Sequence, residues 1–419
     1  MRVLVVGGGG REHAIVWKIN KSPLVNEIFC APGNGGISRI ATCVPIKASD
    51  IGGIVDFAKK NNIELVVVSP DDPLGAGMVD ILLDNGINAF GPVKKAAAIE
   101  ASKSFAKNLM KKYGIPTASY EVFSNTADAL NYIKNQKYPL VIKADGLAAG
   151  KGVIIALTYD TAESAIHEIM DRKIFGDAGN KVIIEEYLEG KEVTVLAFTD
   201  GETLVPMVSA QDHKKAYDYD LGPNTGGMGA FSPSRYYTEN IAEECNRKIF
   251  VPTIRALNNE GIKYKGVLYF GLMLTNEGPK VLEYNARFGD PEAQVVLPRL
   301  QNDIVEIFYA VIGEKLNTIT IQWDQMASAC VIAASEGYPS AYQTGFEICG
   351  IEEAEKEGDV IVFHAGTRYE NGKYYTAGGR VLGVTALGPT IEAAINKAYN
   401  GIRKISFHGM YYRKDIGLK

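Results

Sequence analysis

Lys280-Val-Leu-Glu-Tyr-Asn-Ala-Arg-Phe-Gly-Asp-Pro-Glu-Ala-Gln294 is the stretch that decides how this chain is read. Its first half reads as a strand, and a side-chain period of two predicts Val281, Glu283, Asn285 and Arg287 on one face. A carboxylate, an amide oxygen and a guanidinium then project together. Two hard oxygen donors beside a fixed cation suit a magnesium ion that shares its shell with phosphates, because that ion keeps few protein ligands. The alternative is an edge strand with a solvated polar face, closed by a type I turn at Asp290-Pro291.

The surrounding chain has 419 residues, too many for one ordinary core, so about three domains are expected. With 46% hydrophobic and 22% charged residues it has the composition of a globular protein. A net charge of -5 argues against nucleic acid as the main partner, so any anion site must be local. Cys30, Cys43, Cys245, Cys330 and Cys349 lie far apart with no C-x-x-C pair, which suggests neither a disulfide framework nor a zinc site. A reduced cytoplasm fits this usage. The N-terminus reads as a short strand running into glycines rather than a signal peptide. No apolar stretch of about 18 residues is present, so no membrane span is expected.

Outward from the opening stretch, residues 1–100 alternate strand signals (3–6, 28–31, 65–69) with helical periods (14–19, 54–59), which predicts a parallel sheet with helices on its faces. Glycines at 7–10 sit at the first strand-to-helix turn, where backbone N–H groups form an anion site that Arg11 and His13 could reinforce. The dinucleotide pattern G-x-G-x-x-G fails: its last position falls on Glu12 or His13, and the second strand runs into Pro32-Gly-Asn-Gly-Gly36 without an acid for a ribose. A phosphorylated small substrate is the expected ligand there, with a purely structural tight turn as the alternative.

From about residue 101 a Lys-rich helix (Lys103, Lys107, Lys111, Lys112) ends at Gly114-Ile-Pro116. Strands over 139–143 and 153–157 flank a Gly/Ala-rich hairpin whose Gly146-Leu-Ala-Ala-Gly150-Lys151-Gly152 resembles a Walker loop only superficially: one residue is missing, no Ser/Thr follows the Lys, and a strand comes next. A flexible hairpin folding over phosphates explains those departures. Strands over 182–188 and 193–198 enclose Glu189-Gly-Lys-Glu192, a hinge that offers a purine an apolar slot and a carboxylate for its ribose; a solvated surface turn is the alternative. Two further loops, Gln211-Asp-His-Lys-Lys215 and Gly222-Pro-Asn-Thr-Gly-Gly-Met-Gly229, are together too long, and the second too glycine-dense, to be mere connectors. After residue 321 a small mixed domain follows, in which His364 and Arg380 read as packed or solvated, with a cleft-facing position as the alternative. No internal repeat is visible.

Taken in order, these motifs resemble the ATP-grasp superfamily and, within it, the phosphoribosylamine–glycine ligase family. The opening Gly10-Arg-Glu-His-Ala14, the hairpin Ile142-Lys-Ala-Asp-Gly-Leu-Ala-Ala-Gly-Lys-Gly-Val153, the Gln211-Asp-His-Lys214 loop, residues 222–229 and Arg287-Phe-Gly-Asp-Pro-Glu292 carry the resemblance. The chain departs from the family pattern at Ser69-Pro-Asp-Asp-Pro73 and at Gly8. A sibling ATP-grasp ligase and a nucleotide-sensing module are the rival readings.

The resemblance implies an α/β and α+β multidomain fold: an N-terminal parallel α/β domain (1–103), a central ATP-grasp fold (104–325, lid subdomain about 122–189) and a small C-terminal mixed domain (326–419). It also implies ATP-dependent joining of glycine to 5-phosphoribosylamine by a cytoplasmic monomer of purine biosynthesis, with Mg2+ or Mn2+ as cofactor. Lys103 and Lys143 would hold ATP phosphates, with Gly150, Lys151 and Gly152 closing over them. Glu185, Glu186, Tyr187 and Leu188 would bracket adenine and Glu192 would take the ribose. Glu283 and Asn285 would bind metal, and Arg287 with Lys143 would be catalytic. Gly8, Gly10, Arg11, Asp212, Asn224, Arg287 and Asp290 are the candidates for the two substrates.

Overall fold

The computed structural model describes residues 1–147, 152–356 and 358–418. Five parallel strands open the chain: β1 (Arg2–Gly7), β2 (Glu27–Pro32), β3 (Thr42–Cys43), β4 (Leu65–Val68) and β5 (Ala89–Phe90), in the order β3-β2-β1-β4-β5. β1 is apolar on both faces because both are covered: Leu4 and Val6 join one buried cluster, Val3 and Val5 another. The strand order reverses between β1 and β4, and the carboxyl ends of such a pair flank the crevice where α/β sheets take ligands. Gly7 ends β1 just before the helix Gly10–Ile19, and Ser69 follows β4.

Two antiparallel sheets form the middle of the chain. The first places Tyr120–Phe123, Val182–Glu186, Leu140–Ala144 and Val153–Ala156 side by side, with helices Thr126–Ile133 and Tyr159–Ile166 packed on it around a small core of its own. The second orders Leu204–Pro206, Lys191–Thr199, Gly266–Thr275 and Gly278–Asn285, and side chains of these last three strands share a core with the N-terminal sheet. The Lys-rich segment is the helix Lys103–Tyr113, capped by Ser102 and ended by Gly114 at φ 65°. That left-handed position is one glycine takes without strain.

A third antiparallel sheet borrows Gln211–Asp212 and Gly229–Ser232 from the middle of the chain and adds Ala327–Ser335, Arg380–Gly388 and Val360–His364. Helix Ile391–Ile402 covers it. The loop between Asp212 and Gly229 is therefore held at both ends by the sheet that carries the C-terminal strands. Among the described residues no helix is long and apolar enough to cross a membrane.

Candidate active site

Alternation along Leu140–Ala144 sends Leu140, Ile142 and Ala144 into the local core and leaves Lys143 on the opposite face. Val141 pairs with Glu185 in register, so Glu185 shares that face. The Lys143 ammonium lies 3.0 Å from Glu185 Oε2, and Lys107 approaches the same oxygen at 2.9 Å. Lys143 also donates to the Leu282 carbonyl at 3.2 Å, and Lys103 to the Gly146 carbonyl at 2.6 Å. Two buried ammoniums thus share one carboxylate, and the surplus positive charge suits a polyphosphate. Burial pushes the Lys107 ammonium down to about 8 despite Glu185. Lys103 is also lowered by burial, with Glu283 opposing it.

Beyond Glu185, the segment joining Val182–Glu186 to Lys191–Thr199 passes over an apolar cluster of Ala118, Leu188 and Met273, with Leu282 packed on it. This cluster is the apolar surface that the hinge presents. The side chains at the hinge part company there. Leu188 joins the apolar cluster, whereas Glu185 turns inward as the lysine counterion, which corrects its expected place beside the base. Glu186 accepts from the Ser119 N–H at 3.0 Å, and Tyr187 is exposed. Glu192 stands at the mouth, 2.9 Å from the Lys214 ammonium. Gly150 and Lys151 lie outside the described residues; the Gly152 carbonyl accepts from the Ala144 N–H at 2.9 Å.

The strand Gly278–Asn285 corrects the reading of its own face. Gly271 pairs with Glu283 but Leu272 pairs with Val281, so Leu282 is an extra, bulged residue. The bulge shifts the alternation by one. Val281 therefore packs in the core together with Tyr284, three residues on, while Glu283 and Asn285 face the cleft without it. Glu283 keeps 35% of its side chain open and has Lys214 at 3.9 Å. Burial alone would raise its carboxyl, yet Lys214, Lys143, Lys103 and Arg287 together hold it below the usual range. An ionised carboxylate beside an amide oxygen is a donor set that fits a divalent cation. Among the described residues no cluster of three or more His, Cys, Asp or Glu side chains could hold a metal, so the remaining ligands would come from water and phosphate.

Arg287 lies just past the strand, 2.8 Å from Glu100 and 3.9 Å from Asp71. Its buried Nε has no hydrogen-bond partner. Glu100 is fixed in turn by the Ala286 N–H at 2.6 Å.

At the switch point the glycine turn is held from three sides. Glu12 accepts from the Gly9 N–H at 2.6 Å, from Arg11 Nε at 2.7 Å and from Ser69 Oγ at 2.7 Å. Asn34 donates to the carbonyls of Gly8 at 2.9 Å and His364 at 2.8 Å. A Cβ at Gly8 would sit 2.4 Å from the Gly33 carbonyl oxygen, so any larger residue there requires the facing Gly33 backbone to shift. Gly9 and Gly10 look across at Asp290, which pairs with Arg380 at 2.9 Å and accepts from Gln294 at 2.7 Å. Arg380 also donates to the Gly226 carbonyl at 2.8 Å and to the Asp290 carbonyl at 2.9 Å, so it is packed rather than solvated. His364 is packed too: its N–H donates to His13 Nδ1 at 2.7 Å. Burial pushes His13 down to about 3, so it is a neutral acceptor in a seam and not the anion ligand first expected.

The remaining substrate candidates sit on the borrowed strands. Asp212 pairs with Ala230, and burial pushes its carboxyl up to about 7 with Lys214 opposing. Asn224 pairs with Lys215 at the base of a hairpin, set apart from the glycine turn. That hairpin is clasped by Arg413, which is 1% exposed. Its guanidinium meets Asp415 twice at 2.8 Å, Asp220 at 3.0 Å and the Lys215 carbonyl at 3.0 Å. The Tyr219 N–H donates to Asp415 at 2.9 Å, and Asp218 accepts from the Lys414 N–H at 2.7 Å.

Sequence reasoning missed Lys107, Lys214, Glu100, Met273 and Arg413. Lys107 had a signal, being one helical turn from Lys103. Lys214 had one too, lying in the singled-out loop two residues from Asp212, while Glu100, Met273 and Arg413 are joined to the site only by chain folding.

Two antiparallel sheets that meet where Lys143 of one reaches the Leu282 carbonyl of the other, with Lys103 and Lys107 on the adjoining helix and a Glu-x-Asn strand opposite, define an ATP-grasp enzyme. A biotin carboxylase from Campylobacter jejuni has a similar fold, superposing with a TM-score of 0.74 at 15% identity and covering 98% of this chain and 92% of that one. Residues 1–100, 101–293 and 328–419 match, in turn, the N domain, the ATP-grasp (A) domain and the C domain of phosphoribosylglycinamide synthetase, and the chain belongs to that family. The phosphoribosylamine–glycine ligase of Caldanaerobacter subterraneus is 50% identical over 416 residues, 99% of each chain. That of Clostridium acetobutylicum is 48% identical over 417 residues, covering 100% of this chain and 99% of its own. The crystal structure of phosphoribosylamine–glycine ligase from Thermotoga maritima has a TM-score of 0.87 at 34% identity over the whole of both chains.

Proposed function

We propose that this chain joins glycine to 5-phosphoribosylamine at the expense of ATP, giving glycinamide ribonucleotide, ADP and phosphate in purine biosynthesis. The observation that carries the reading is the convergence, at one end of a lysine-lined nucleotide cleft, of Glu283, Asn285 and the orphan Nε of Arg287. Family membership along the chain supports it.

A carboxylate is a poor acylating agent at neutral pH, so the glycine carboxylate first attacks the γ-phosphorus and ADP departs. The amine of 5-phosphoribosylamine then attacks the acyl carbon of glycyl phosphate, phosphate leaves, and the amine loses a proton. No covalent bond to the protein is needed; positioning and charge neutralisation supply the rate. Lys103 and Lys143 hold the phosphates, with residues 150–152 as the closing hairpin. The backbone of Glu186, Tyr187 and Leu188 brackets adenine and Glu192 takes the ribose. Arg287 orients the glycine carboxylate through its free Nε. Glu283 and Asn285 hold Mg2+ or Mn2+, which when bound neutralises phosphate charge. Gly8, Gly10, Arg11 and Asp290 receive the phosphoribosyl group, with Asn224 at the outer rim. Asp212, raised to about 7, is suited to exchange a proton with an amine near neutral pH. We assign the work to a cytoplasmic monomer; all five cysteines are free, as a reducing compartment allows.

ADP release with ATP, magnesium, glycine and 5-phosphoribosylamine formed in situ tests this. Release should require both glycine and the amine, and Arg287→Ala or Glu283→Ala should lower turnover by about a hundredfold or more with the fold intact. Release without glycine, or normal turnover in those variants, would refute the reading.

A further inference from the structure

Lys214 is a cation that the ligand assignments leave unused. Its ammonium touches two carboxylates on different strands of the cleft, Glu192 at 2.9 Å and Glu283 at 3.9 Å. The other lysines are held elsewhere: Lys143 by Glu185 and the Leu282 carbonyl, and Lys103 by the Gly146 carbonyl. Glu283, Glu192 and Glu292 all raise Asp212, so this corner is crowded with acids.

The backbone around Lys214 is held by its own hydrogen bonds, whereas its side chain is anchored through its ammonium. The Lys214 carbonyl accepts from the Thr225 N–H at 2.7 Å and from Thr225 Oγ1 at 2.8 Å. His213 N–H donates to Gly229 at 2.9 Å, and Gly417 N–H donates to His213 Nε2 at 3.2 Å. The Lys214 side chain keeps 35% of its area open on a four-carbon stem. The ammonium can therefore leave its carboxylates without the loop moving.

We propose that Lys214 is a resident cation, standing in for the divalent ion between Glu192 and Glu283 while the cleft is empty and displaced when the nucleotide arrives with its metal. The inference rests on the proposed roles of Glu283 as metal ligand and Glu192 as ribose acceptor. A dication on Glu283 and an ammonium within contact distance repel, so one must give way. The ribose takes Glu192 and the ion takes Glu283, so the two carboxylates that Lys214 contacts go at the same event and leave it the field of Asp212. Bare metal, by contrast, must evict the ammonium from Glu283 while Glu192 still holds it. Metal is thereby kept waiting for nucleotide.

Mn2+ alone, titrated against the purified full chain without nucleotide and followed by electron paramagnetic resonance, tests the idea. Lys214→Met keeps the stem and removes the charge, and should bind Mn2+ about tenfold tighter than the parent. Lys103→Met removes a cation that also faces Glu283 but does not touch it, and should change Mn2+ binding about threefold or less. Lys214→Gln gives the same measurement should the Met variant not fold. Unchanged or weaker Mn2+ binding on losing Lys214, or equal gains from both lysines, would overturn the proposal. Glu283→Gln separates the two layers of argument. If Glu283→Gln abolishes Mn2+ binding and Lys214→Met leaves it unchanged, only the resident cation fails; if Glu283→Gln binds Mn2+ normally, the metal assignment beneath it fails.

Discussion

Glu185→Gln should unfold the central domain early and should do so less at high pH. Glu185 is 2% exposed and one of its oxygens accepts from both Lys107 and Lys143, whose side chains are 3% and 8% exposed. Breaking a buried pair by removing one partner costs about 3–5 kcal/mol. The structure narrows this. Lys107 already sits at about 8, against 10.5 unperturbed, so in the variant it escapes by releasing its proton. Glu185 is the partner that opposes the burial, so without it the proton leaves still more readily than in the parent. The glutamine oxygen still accepts one bond, so the total belongs near the lower end, about 3 kcal/mol. For a domain of this size the melting point should fall by about 6–12 °C. Between pH 7 and 8 the parent's folded state holds a proton on Lys107 that the variant's has shed, so the deficit should shrink by about 1.4 kcal/mol over that window. Calorimetry of both proteins at pH 7, 8 and 9 makes the comparison. A melting point within about 2 °C of the parent at pH 7 would refute the reasoning, as would a deficit that grows with pH.

Three further outcomes are expected. Gly8→Ala drives a Cβ to 2.4 Å from the Gly33 carbonyl oxygen and should cut kcat/KM for the amine substrate about a hundredfold while leaving nucleotide affinity alone, as kinetics and calorimetric titration will show. His13 is held neutral, with its folded value depressed to about 3, so its contribution is complete above the unfolded value of 6.5 and is lost as pH falls toward 3. Stability should therefore drop on acidification by up to about 1.4 kcal/mol per pH unit, and His13→Gln should flatten that slope in melts between pH 5 and 7. Asp220→Ala removes one tie from Arg413 at a site that is 51% open, so it should cost under about 1 kcal/mol of stability yet raise the KM for the amine substrate. An unchanged KM would uncouple the hairpin from substrate binding.

Much of the site was legible because its residues sit in short, locally determined pieces. The all-apolar β1, the glycine turn and the Glu283–Asn285 pair each follow from period, turn chemistry or donor type within a few residues. Val281 was misplaced because a bulge at Leu282 is set by the partner strand's Gly271, which no local period encodes. Glu185 was misplaced because its role depends on Lys107, from a helix about eighty positions earlier in the chain. His13 looked like an anion ligand beside glycines, but its ring points into a seam closed by His364. Arg413 had no signal at all. A lone arginine near a terminus reads as solvated, and only folding buries it.

That buried arginine gives the order of synthesis a meaning. The nucleotide cleft is complete once the chain has been made as far as the strand ending at Asn285, and a nascent or truncated protein of that length owns the lysines, the hinge and the acidic strand. The hairpin at Lys215–Asn224 is made earlier, yet it waits for Arg413, Lys414 and Asp415 to fix it. A chain cut after Tyr412 would lose that tether together with Ile416, which is buried in the C-terminal core. Clipping of a handful of residues should therefore loosen the hairpin well before it disturbs the lysines and the acidic strand of the central sheets.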